Sequence, residues 1–254
     1  MWRELGPVKL WGVLYGVSIL SFFLVSYLVA RRLRLRRRVW IALSLSYLIG
    51  MTTGAKALYD VQKGEFSIGA LFSLDHYLAA GLWGGVLAYL ILALPMALIL
   101  ALRKRAALDL IALALPIPLF FTKVGCLLNG CCHGTVSSMP WALTFPEGAA
   151  TAPPGIAIHP TQAYELLVIA LIFVVFTVLD DERWRGTMLL WFLVVYGFGR
   201  ATTELFRADL QDRGYTLGLF SLSQILCIAA ACASVVVLYG QRGHTRFAVD
   251  SEGA

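Results

Sequence analysis

The sequence predicts an all-α integral membrane protein with about seven transmembrane helices. Composition is the first of three observations behind this prediction: 59% of the 254 residues are hydrophobic, 14% are charged, and the mean hydropathy is +0.76. A soluble domain would be nearly half apolar, with about a quarter of its residues charged. The second observation is a series of apolar runs of membrane-spanning length, and the third is the placement of basic residues between them. We therefore expect most of the chain to contact lipid.

Seven apolar runs are long enough to cross a bilayer, because about 20 apolar residues span its hydrocarbon core. They form a single predicted transmembrane domain over residues 1–254. No basic segment precedes the first run and no small-residue cleavage site follows it before Arg31, so this run is expected to be a retained span rather than a signal peptide. The runs lie at about 11–30, 40–59, 77–102, 107–127, 163–180, 186–206 and 215–239.

Basic residues are concentrated in every second connection, and this predicts the orientation. Residues 31–38 contain six arginines. Because cytoplasmic flanks of membrane helices are enriched in Lys and Arg, the N-terminus is predicted to lie outside and the C-terminus in the cytoplasm. The net charge of +6 therefore does not indicate nucleic-acid binding. The other basic connections contain Arg103, Lys104 and Arg105, then Arg183 and Arg185, and finally Arg242 and Arg246.

The longest connection, at about 129–162, falls on the outer face in this topology. It contains five prolines. Proline lacks a backbone N–H and disfavours helix interiors, so an extended excursion over the outer surface is expected rather than another span.

Eight polar or ionisable side chains within or at the edges of the spans map to the outward half of the membrane. A charged side chain inside the bilayer costs about 2.5–3.5 kcal/mol on insertion scales, so intramembrane charges usually mark a functional cavity. Several together are difficult to explain by packing. These polar and ionisable residues are Lys56, Asp75, His76, Lys123, Tyr164, Glu165, Arg200 and Glu204.

Arg200 and Glu204 are four residues apart and share one face of a helix, so they could simply neutralise each other. Tyr196, four residues before Arg200, extends this polar stripe over two turns. A polar stripe on an apolar helix indicates a cavity between helices. Basic groups that converge on such a cavity predict an anionic headgroup as the ligand, because Arg and Lys hold phosphate through charge-assisted hydrogen bonds.

The stretch from His159 to Glu165 has two interpretations. Pro160 and Thr161 are typical of a helix start, with capping by Thr161 or a neighbour, and an acidic residue such as Glu165 is favoured near the positive end of a helix. His159, Gln162 and Tyr164 remain as hydrogen-bonding groups on the outer side, and they are candidates for lining the site.

The cysteines of the sequence G-C-L-L-N-G-C-C-H-G leave three interpretations open. Cys126, Cys131, Cys132 and His133 could form a metal site, although their spacing is not one of the usual zinc spacings. One thiol could be a nucleophile if Lys123 or another cation lowers its pKa. Cys131 and Cys132 could instead be oxidised outside the cytoplasm with another thiol as partner.

The remaining two cysteines, Cys227 and Cys232, lie among Ala and Ile in the last span and are expected to pack as small apolar residues. The total of five is odd, which excludes a fully paired intramolecular disulfide set.

Eight short stretches follow one another along most of the chain. The most informative are K-V-G-C-L-L-N-G-C-C-H-G at 123–134 and H-P-T-Q-A-Y-E at 159–165. In this order the eight resemble the motifs of the phosphatidylglycerol–prolipoprotein diacylglyceryl transferases, a bacterial family with seven spans. The two stretches above are similar to that family's R-I-G-N-F-I-N-G-E-x-x-G and H-P-S-Q-L-Y-E. The other six are Tyr15-Gly16, Gly54-Ala55-Lys56, Gly81 to Gly84, Pro140 to Ala142 with Phe145-Pro146, Tyr196 to Arg200 with Glu204, Phe206 and Arg207, and Ser223 to Leu226.

The resemblance implies a reaction and its substrates. Members of this family move the diacylglyceryl group of phosphatidylglycerol onto the cysteine thiol of a prolipoprotein, form a thioether and release glycerol phosphate. For this chain the resemblance implies a multi-pass enzyme of the bacterial cytoplasmic (inner) membrane that starts lipoprotein maturation. It implies no metal or diffusible cofactor, and its partners are the phospholipid, the prolipoprotein and membrane lipid, without nucleic acid.

The resemblance also assigns candidate roles. Arg200 and Lys123 are the expected phosphate clamp, supported by Lys56 and Arg207. Glu204 and Tyr196 are expected to orient Arg200. The remaining candidates for binding the substrates or supporting the loop are Tyr15, Cys126, Asn129, His159, Gln162, Tyr164 and Glu165.

The chain departs from the family pattern at several motif positions. Lys123 replaces the signature arginine, Cys126 an asparagine and Cys131 a glutamate, and Ala79 stands at the position of the family's histidine. His76 or His133 is therefore the candidate for activating the acceptor thiol. Two alternatives follow from the departures. One is a relative that transfers lipid to a different acceptor through Cys131 or Cys132 as a covalent relay, and the other is a lipid-binding membrane protein without catalytic activity.

Overall fold

The computed structural model describes residues 4–5, 8–57, 60, 82–178, 184–208 and 220–252. Helices account for most of this part of the chain. The helices are α1 Leu10–Arg32, α2 Arg37–Ile49, a π-helical turn Gly50–Gly54, α3 Leu82–Leu100, α4 Lys104–Ala114, α5 Pro116–Asn129, α6 Thr161–Val178, α7 Met188–Glu204 and α8 Leu222–Glu252. The strands are β1 Glu4–Leu5, β2 Val8–Lys9, β3 Leu143–Thr144 and β4 Ala157–Ile158, and they pair as the antiparallel couples β1–β2 and β3–β4.

Three helical segments are long and apolar enough to cross a membrane by themselves: Leu10–Arg32, Lys104–Asn129 and Leu222–Gly240. Two shorter apolar helices are Gly84–Leu100 and Thr161–Phe176. The prediction of an all-α, multi-pass membrane protein is confirmed at this level. The count of seven spans and the orientation stay predictions, and so does the single domain over 1–254.

The predicted fourth span is divided by proline. Its residues form α4 and α5, with a break at Leu115 immediately before Pro116. Leu115 keeps helical backbone angles, but Pro116 and Pro118 lack the backbone N–H that would continue the helical hydrogen bonds. The apolar run indicated one span, and its interruption follows from these two residues.

The described residues fall into two compact units, one within Met1–Leu14 and Thr122–Ala254 and the other within Tyr15–Phe121. In the second unit, α3 packs against α2, the π-helical turn and α4. Phe22, Tyr47 and Tyr89 form its aromatic centre, where the rings of Phe22 and Tyr47 stack with centroids 3.6 Å apart.

The π-helical turn lies within the predicted second span. The hydroxyl groups of Thr52 and Thr53 donate to the carbonyls of Leu48 and Ile49, each at 2.8 Å. These bonds occupy carbonyls four residues earlier, which favours local distortion of a helix. Gly54 closes the turn, and a side chain there would place its Cβ 2.5 Å from the carbonyl oxygen of Gly84. The glycine therefore permits close contact between the turn and α3.

In the first unit, α7 lies between α6 and α8 and packs along both. The connection from Gly130 to Pro160 contains no α-helix, which agrees with the extended excursion predicted at 129–162. Within it, Gly134 forms an isolated antiparallel β-bridge with Arg207, and Val136 forms one with Ile158. The connection is thus hydrogen-bonded to the start of α6 and to the end of α7.

Candidate functional site

The centre of the first unit is a network of buried ion pairs. Lys123 Nζ lies 2.7 Å from Glu165 Oε2, and Arg200 Nε lies 3.9 Å from the same oxygen. The side chains of Lys123, Glu165 and Arg200 are only 3%, 2% and 6% exposed. Three helices, α5, α6 and α7, therefore meet through one carboxylate.

Glu204 is the second carboxylate of the network. Its Oε2 pairs with Arg200 Nη1 one helical turn earlier and lies 3.8 Å from Arg207 Nε. Its Oε1 accepts hydrogen bonds from Ser223 Oγ at 2.7 Å and Ser221 Oγ at 3.3 Å. Glu204 thus connects the end of α7 to the start of α8.

The network contains more positive than negative charge. Lys123, Arg200 and Arg207 contribute three cations, whereas Glu165 and Glu204 contribute two carboxylates. Buried Arg and Lys side chains hold phosphate through charge-assisted hydrogen bonds, so the cations of the network favour binding of an anion. The network is suited to a phosphate group.

A tight turn of cysteines follows α5. Cys126 lies in the last turn of the helix, and its carbonyl accepts from the backbone N–H of Cys131 at 3.2 Å and from the Cys131 thiol at 3.7 Å. Cys132 has a φ of 61°, which is uncommon for a residue other than glycine. The three sulfur atoms all lie within 4.8 Å of one another.

Two buried side chains at the start of α6 fix this turn. Thr161 Oγ1 donates to the carbonyl of Cys132 at 2.5 Å, and Gln162 Nε2 donates to the carbonyl of Cys131 at 2.6 Å. Both side chains are fully buried. The predicted role of Gln162 in supporting the loop is consistent with this contact. Thr161 was expected only at the helix start, and its contact with Cys132 connects residues 29 positions apart.

The environment favours the thiolate of Cys132. The thiol groups of Cys126 and Cys131 donate hydrogen bonds to its sulfur, and Arg207 and Lys123 add positive charge, so the pKa of Cys132 lies well below its usual range. Both Cys131 and Cys132 are partly exposed, whereas Cys126 is buried.

The two histidines of this region are occupied by other contacts. His133 Nδ1 lies 2.9 Å from the carbonyl oxygen of Gly134, and its Nε2 lies 3.1 Å from that of Thr151. A carbonyl only accepts hydrogen bonds, so both contacts are satisfied together when the ring carries two protons. Both ring nitrogens thus lie at carbonyl oxygens, and the role of His133 in thiol activation stays a prediction.

His159 belongs to an aromatic group beside the loop. Its Nδ1 lies 2.9 Å from Tyr164 Oη, which also accepts from Trp141 Nε1 at 2.8 Å. The ring of Phe206 lies against both, with centroid distances of 5.0 Å to His159 and 5.6 Å to Tyr164. His159 and Tyr164 thus contact each other and hold the outer connection.

The other candidates fall in several places. Tyr196 is buried on α7 one turn before Arg200, and Asn129 ends α5 with its carbonyl accepting from Ala150 at 2.9 Å. Tyr15 and Lys56 belong to the other unit, where Lys56 is 2% exposed. His76 lies outside the described residues. Sequence reasoning did not identify Ser221, whose only signal is its position just before the last helix.

Replacing Gly134 with alanine is expected to destabilise the loop. The new Cβ would lie 2.5 Å from His159 Cβ and 2.6 Å from the carbonyl oxygen of Phe206. Overpacking of this kind costs about 1–3 kcal/mol, so thermal unfolding in detergent should occur at lower temperature. Gly240→Ala is the matched control because a Cβ there has no neighbour within 4 Å. Equal unfolding temperatures for the two variants would contradict the close packing at Gly134.

The comparisons with known proteins all identify the same family. The family model described as prolipoprotein diacylglyceryl transferase matches residues 3–240. A phosphatidylglycerol–prolipoprotein diacylglyceryl transferase of Geobacter sulfurreducens is 26% identical over 232 residues, covering 84% of each chain. The enzyme of the same name from Mesorhizobium japonicum is 25% identical and covers 85% of this chain and 80% of its own length. That of Desulfotalea psychrophila is 25% identical, with 88% and 86% covered. The match over nearly the whole length shows that this chain belongs to the prolipoprotein diacylglyceryl transferase family.

Proposed function

We propose that this chain transfers the diacylglyceryl group of phosphatidylglycerol to the cysteine thiol of a bacterial prolipoprotein. The support is membership of the family together with relatives that carry this activity in their names over 80–86% of their own length. The chain is accordingly a transferase in lipoprotein biosynthesis.

The excess positive charge of the buried network is the observation that carries the proposal. Within the part of the chain that the structure describes, Lys123, Arg200 and Arg207 outnumber the carboxylates of the network by one. Phosphatidylglycerol has one phosphodiester anion, which balances that excess. Glu165 and Glu204 hold the cations in fixed positions before the lipid arrives, so little reorganisation is needed on binding.

The reaction needs charge stabilisation at the phosphate more than any other contribution. The sulfur of the acceptor thiolate attacks the glyceryl carbon that carries the phosphate oxygen, and a C–S bond forms as the C–O bond breaks. The electron pair of the broken bond leaves on the phosphate, which departs as glycerol phosphate. Negative charge therefore increases on the phosphate oxygens in the transition state. In this proposal, Arg200 and Lys123 stabilise that charge more strongly in the transition state than in the ground state.

The proposed topology has seven spans, an external N-terminus and a cytoplasmic C-terminus in the bacterial inner membrane. Lys123 lies near the end of α5, Glu165 near the start of α6 and Arg200 near the end of α7. Helices that alternate in direction bring such ends to one side of the membrane. The basic connections 103–105 and 183–185 lie at the opposite ends of these helices in the sequence, which supports a site on the outer face.

A covalent relay through Cys131 or Cys132 is not favoured. The lipid group on a relay cysteine would be held by a thioether, and a thioether sulfur is a poor leaving group for a second transfer. The activity named for the relatives also needs no relay. A purely lipid-binding role is likewise not favoured, because the relatives are named as transferases.

A transferase assay tests the proposal. The purified chain, mixed with phosphatidylglycerol and a lipobox peptide, is expected to increase the peptide mass by one diacylglyceryl group in mass spectrometry. The same peptide with serine in place of its cysteine is the matched control and should remain unmodified, because a hydroxyl is much less ionised than a thiol at neutral pH. Absence of the mass increase with folded protein in phosphatidylglycerol vesicles would contradict the proposed function.

A further inference from the structure

The three cysteines after α5 form a cluster that the phosphate-binding network does not use. Cys126, Cys131 and Cys132 contribute three sulfur atoms within 4.8 Å of one another. Zinc binds thiolate sulfur at about 2.3 Å, so two sulfurs of a tetrahedral site lie about 3.8 Å apart. The sulfur–sulfur separations therefore exceed those of a zinc site by at most about 1 Å.

Backbone conformation and long-range hydrogen bonds hold this cluster in place. Cys132 has the uncommon φ of 61°, and the carbonyls of Cys131 and Cys132 are held by the buried side chains of Gln162 and Thr161. Backbone conformations of this kind persist where the surroundings enforce them, and they concentrate at functional sites. A preorganised set of three soft ligands is typical of a site for a thiophilic cation.

The cluster supplies three ligands and leaves one position open. Among the residues that the structure describes, no fourth His, Cys, Asp or Glu side chain joins the group. His133, the nearest candidate in sequence, has both ring nitrogens at carbonyl oxygens. Structural zinc sites are closed by four protein ligands, whereas catalytic sites have three and keep the fourth for water or substrate. The partial exposure of Cys131 and Cys132 leaves an approach from the outer connection.

We propose that Cys126, Cys131 and Cys132 bind a zinc(II) ion through their sulfur atoms and that its open fourth position takes the acceptor thiol of the prolipoprotein. The acceptor in this inference rests on the proposed function. A thiol that coordinates such a cation is deprotonated, which supplies the thiolate that the transfer requires.

The proposed zinc site places negative charge beside the cations of the network. Three thiolates and zinc carry one net negative charge, and the acceptor thiolate adds a second. Lys123 lies three residues before Cys126 on α5, and Arg207 bridges to Gly134 beside the cysteine turn. The cations that hold the lipid phosphate thus also lie near the cluster. In this proposal, the sulfur nucleophile and the phosphate leaving group lie in the same part of the first unit.

The step balances without an oxidant or reductant. The S–H bond of the acceptor breaks on coordination and its proton goes to water at the outer surface. The sulfur then attacks the glyceryl carbon, the C–O bond to phosphate breaks with its electron pair on oxygen, and the thioether product leaves the ion. Three cysteine ligands remain on zinc throughout.

Cobalt(II) substitution provides a test independent of activity. Cobalt(II) added to the reduced, chelator-treated protein is expected to bind one ion per chain and to give a thiolate-to-cobalt absorption band. Cys131→Ser and Cys132→Ser should each weaken that band, and Cys232→Ser, an exposed cysteine on α8, should leave it unchanged. Addition of the lipobox peptide should strengthen the band, and the peptide with serine in place of cysteine should not.

Several results would overturn the site. One is that the reduced protein binds no cobalt(II) at all. Another is that the absorption band keeps its full intensity in both Cys131→Ser and Cys132→Ser, and a third is that the band stays the same when the lipobox peptide is added. Each of these results excludes the proposed site. Purified protein that holds copper(I) and does not respond to the peptide also contradicts it. The transferase assay on the same samples separates the two proposals. If the metal-free protein transfers the diacylglyceryl group, the zinc route is refuted and the transferase function stands. If the peptide changes the cobalt band but no transfer occurs, the transferase function is refuted and the metal site stands.

Discussion

Arg200→Ala is expected to lower kcat/KM for diacylglyceryl transfer by roughly 10²–10³-fold, the usual loss when one group that stabilises developing charge is removed. Arg200 pairs with both buried carboxylates of the network. Its removal withdraws one cation from the phosphate and also releases Glu165 and Glu204 from a shared partner. We expect the loss mainly in kcat, because the charge on the phosphate is greatest in the transition state.

A conservative variant separates chemistry from folding at this position. Arg200→Lys keeps the charge but loses the planar fork that holds two oxygens, so intermediate activity is expected. Arg105→Gln removes an exposed cation from the first turn of α4, outside the network, and should leave the transfer rate unchanged. The comparison is made by peptide mass spectrometry at a temperature where every variant remains folded. Activity of folded Arg200→Ala equal to that of Arg105→Gln would exclude Arg200 from the phosphate site.

The charged residues of the network could be identified from sequence because each is costly inside an apolar segment. Lys123, Arg200 and Glu204 were recognisable for this reason, and the i,i+4 spacing correctly predicted the pair between Arg200 and Glu204. Glu165 was expected at the headgroup or the loop. Its pairing with Lys123 and Arg200 depends on how α5, α6 and α7 pack, and local spacing contains no such information.

For the cysteine turn, too, the sequence predicted one part of the site, and the other part depends on the three-dimensional structure. Periodicity and composition indicated a helix end at Cys126 and left three interpretations of its thiols open. The closeness of the three sulfurs depends on the conformation of Cys132 and on hydrogen bonds from Thr161 and Gln162, which are about 30 residues away in the chain. Long-range contacts between polar side chains and loop carbonyls leave no period in the sequence, so this part of the site required the structure.

Glu204→Gln is expected to reduce the free energy of unfolding by about 3–5 kcal/mol, the cost of removing one partner from a buried ion pair. Glu204 compensates Arg200 and Arg207 and accepts from Ser221 and Ser223, so its neutralisation leaves two buried cations poorly balanced. Because glutamine has nearly the same shape as glutamate, the lower free energy of unfolding would result from the lost charge and not from a cavity. The measurement is denaturant or thermal unfolding in detergent, with Glu147→Gln on the exposed outer connection as the matched control.

The double variant Glu204→Gln with Arg207→Gln identifies the cause of that loss. Removing both charges leaves one fewer uncompensated cation than Glu204→Gln alone, so the combined cost should be smaller than the sum of the two single costs. Additive costs would mean that Arg207 and Glu204 act independently, at variance with their 3.8 Å separation. The same variants connect stability to function. If Glu204 positions Arg200 for the phosphate, Glu204→Gln lowers kcat even under conditions where the protein remains folded, whereas Glu147→Gln changes neither quantity.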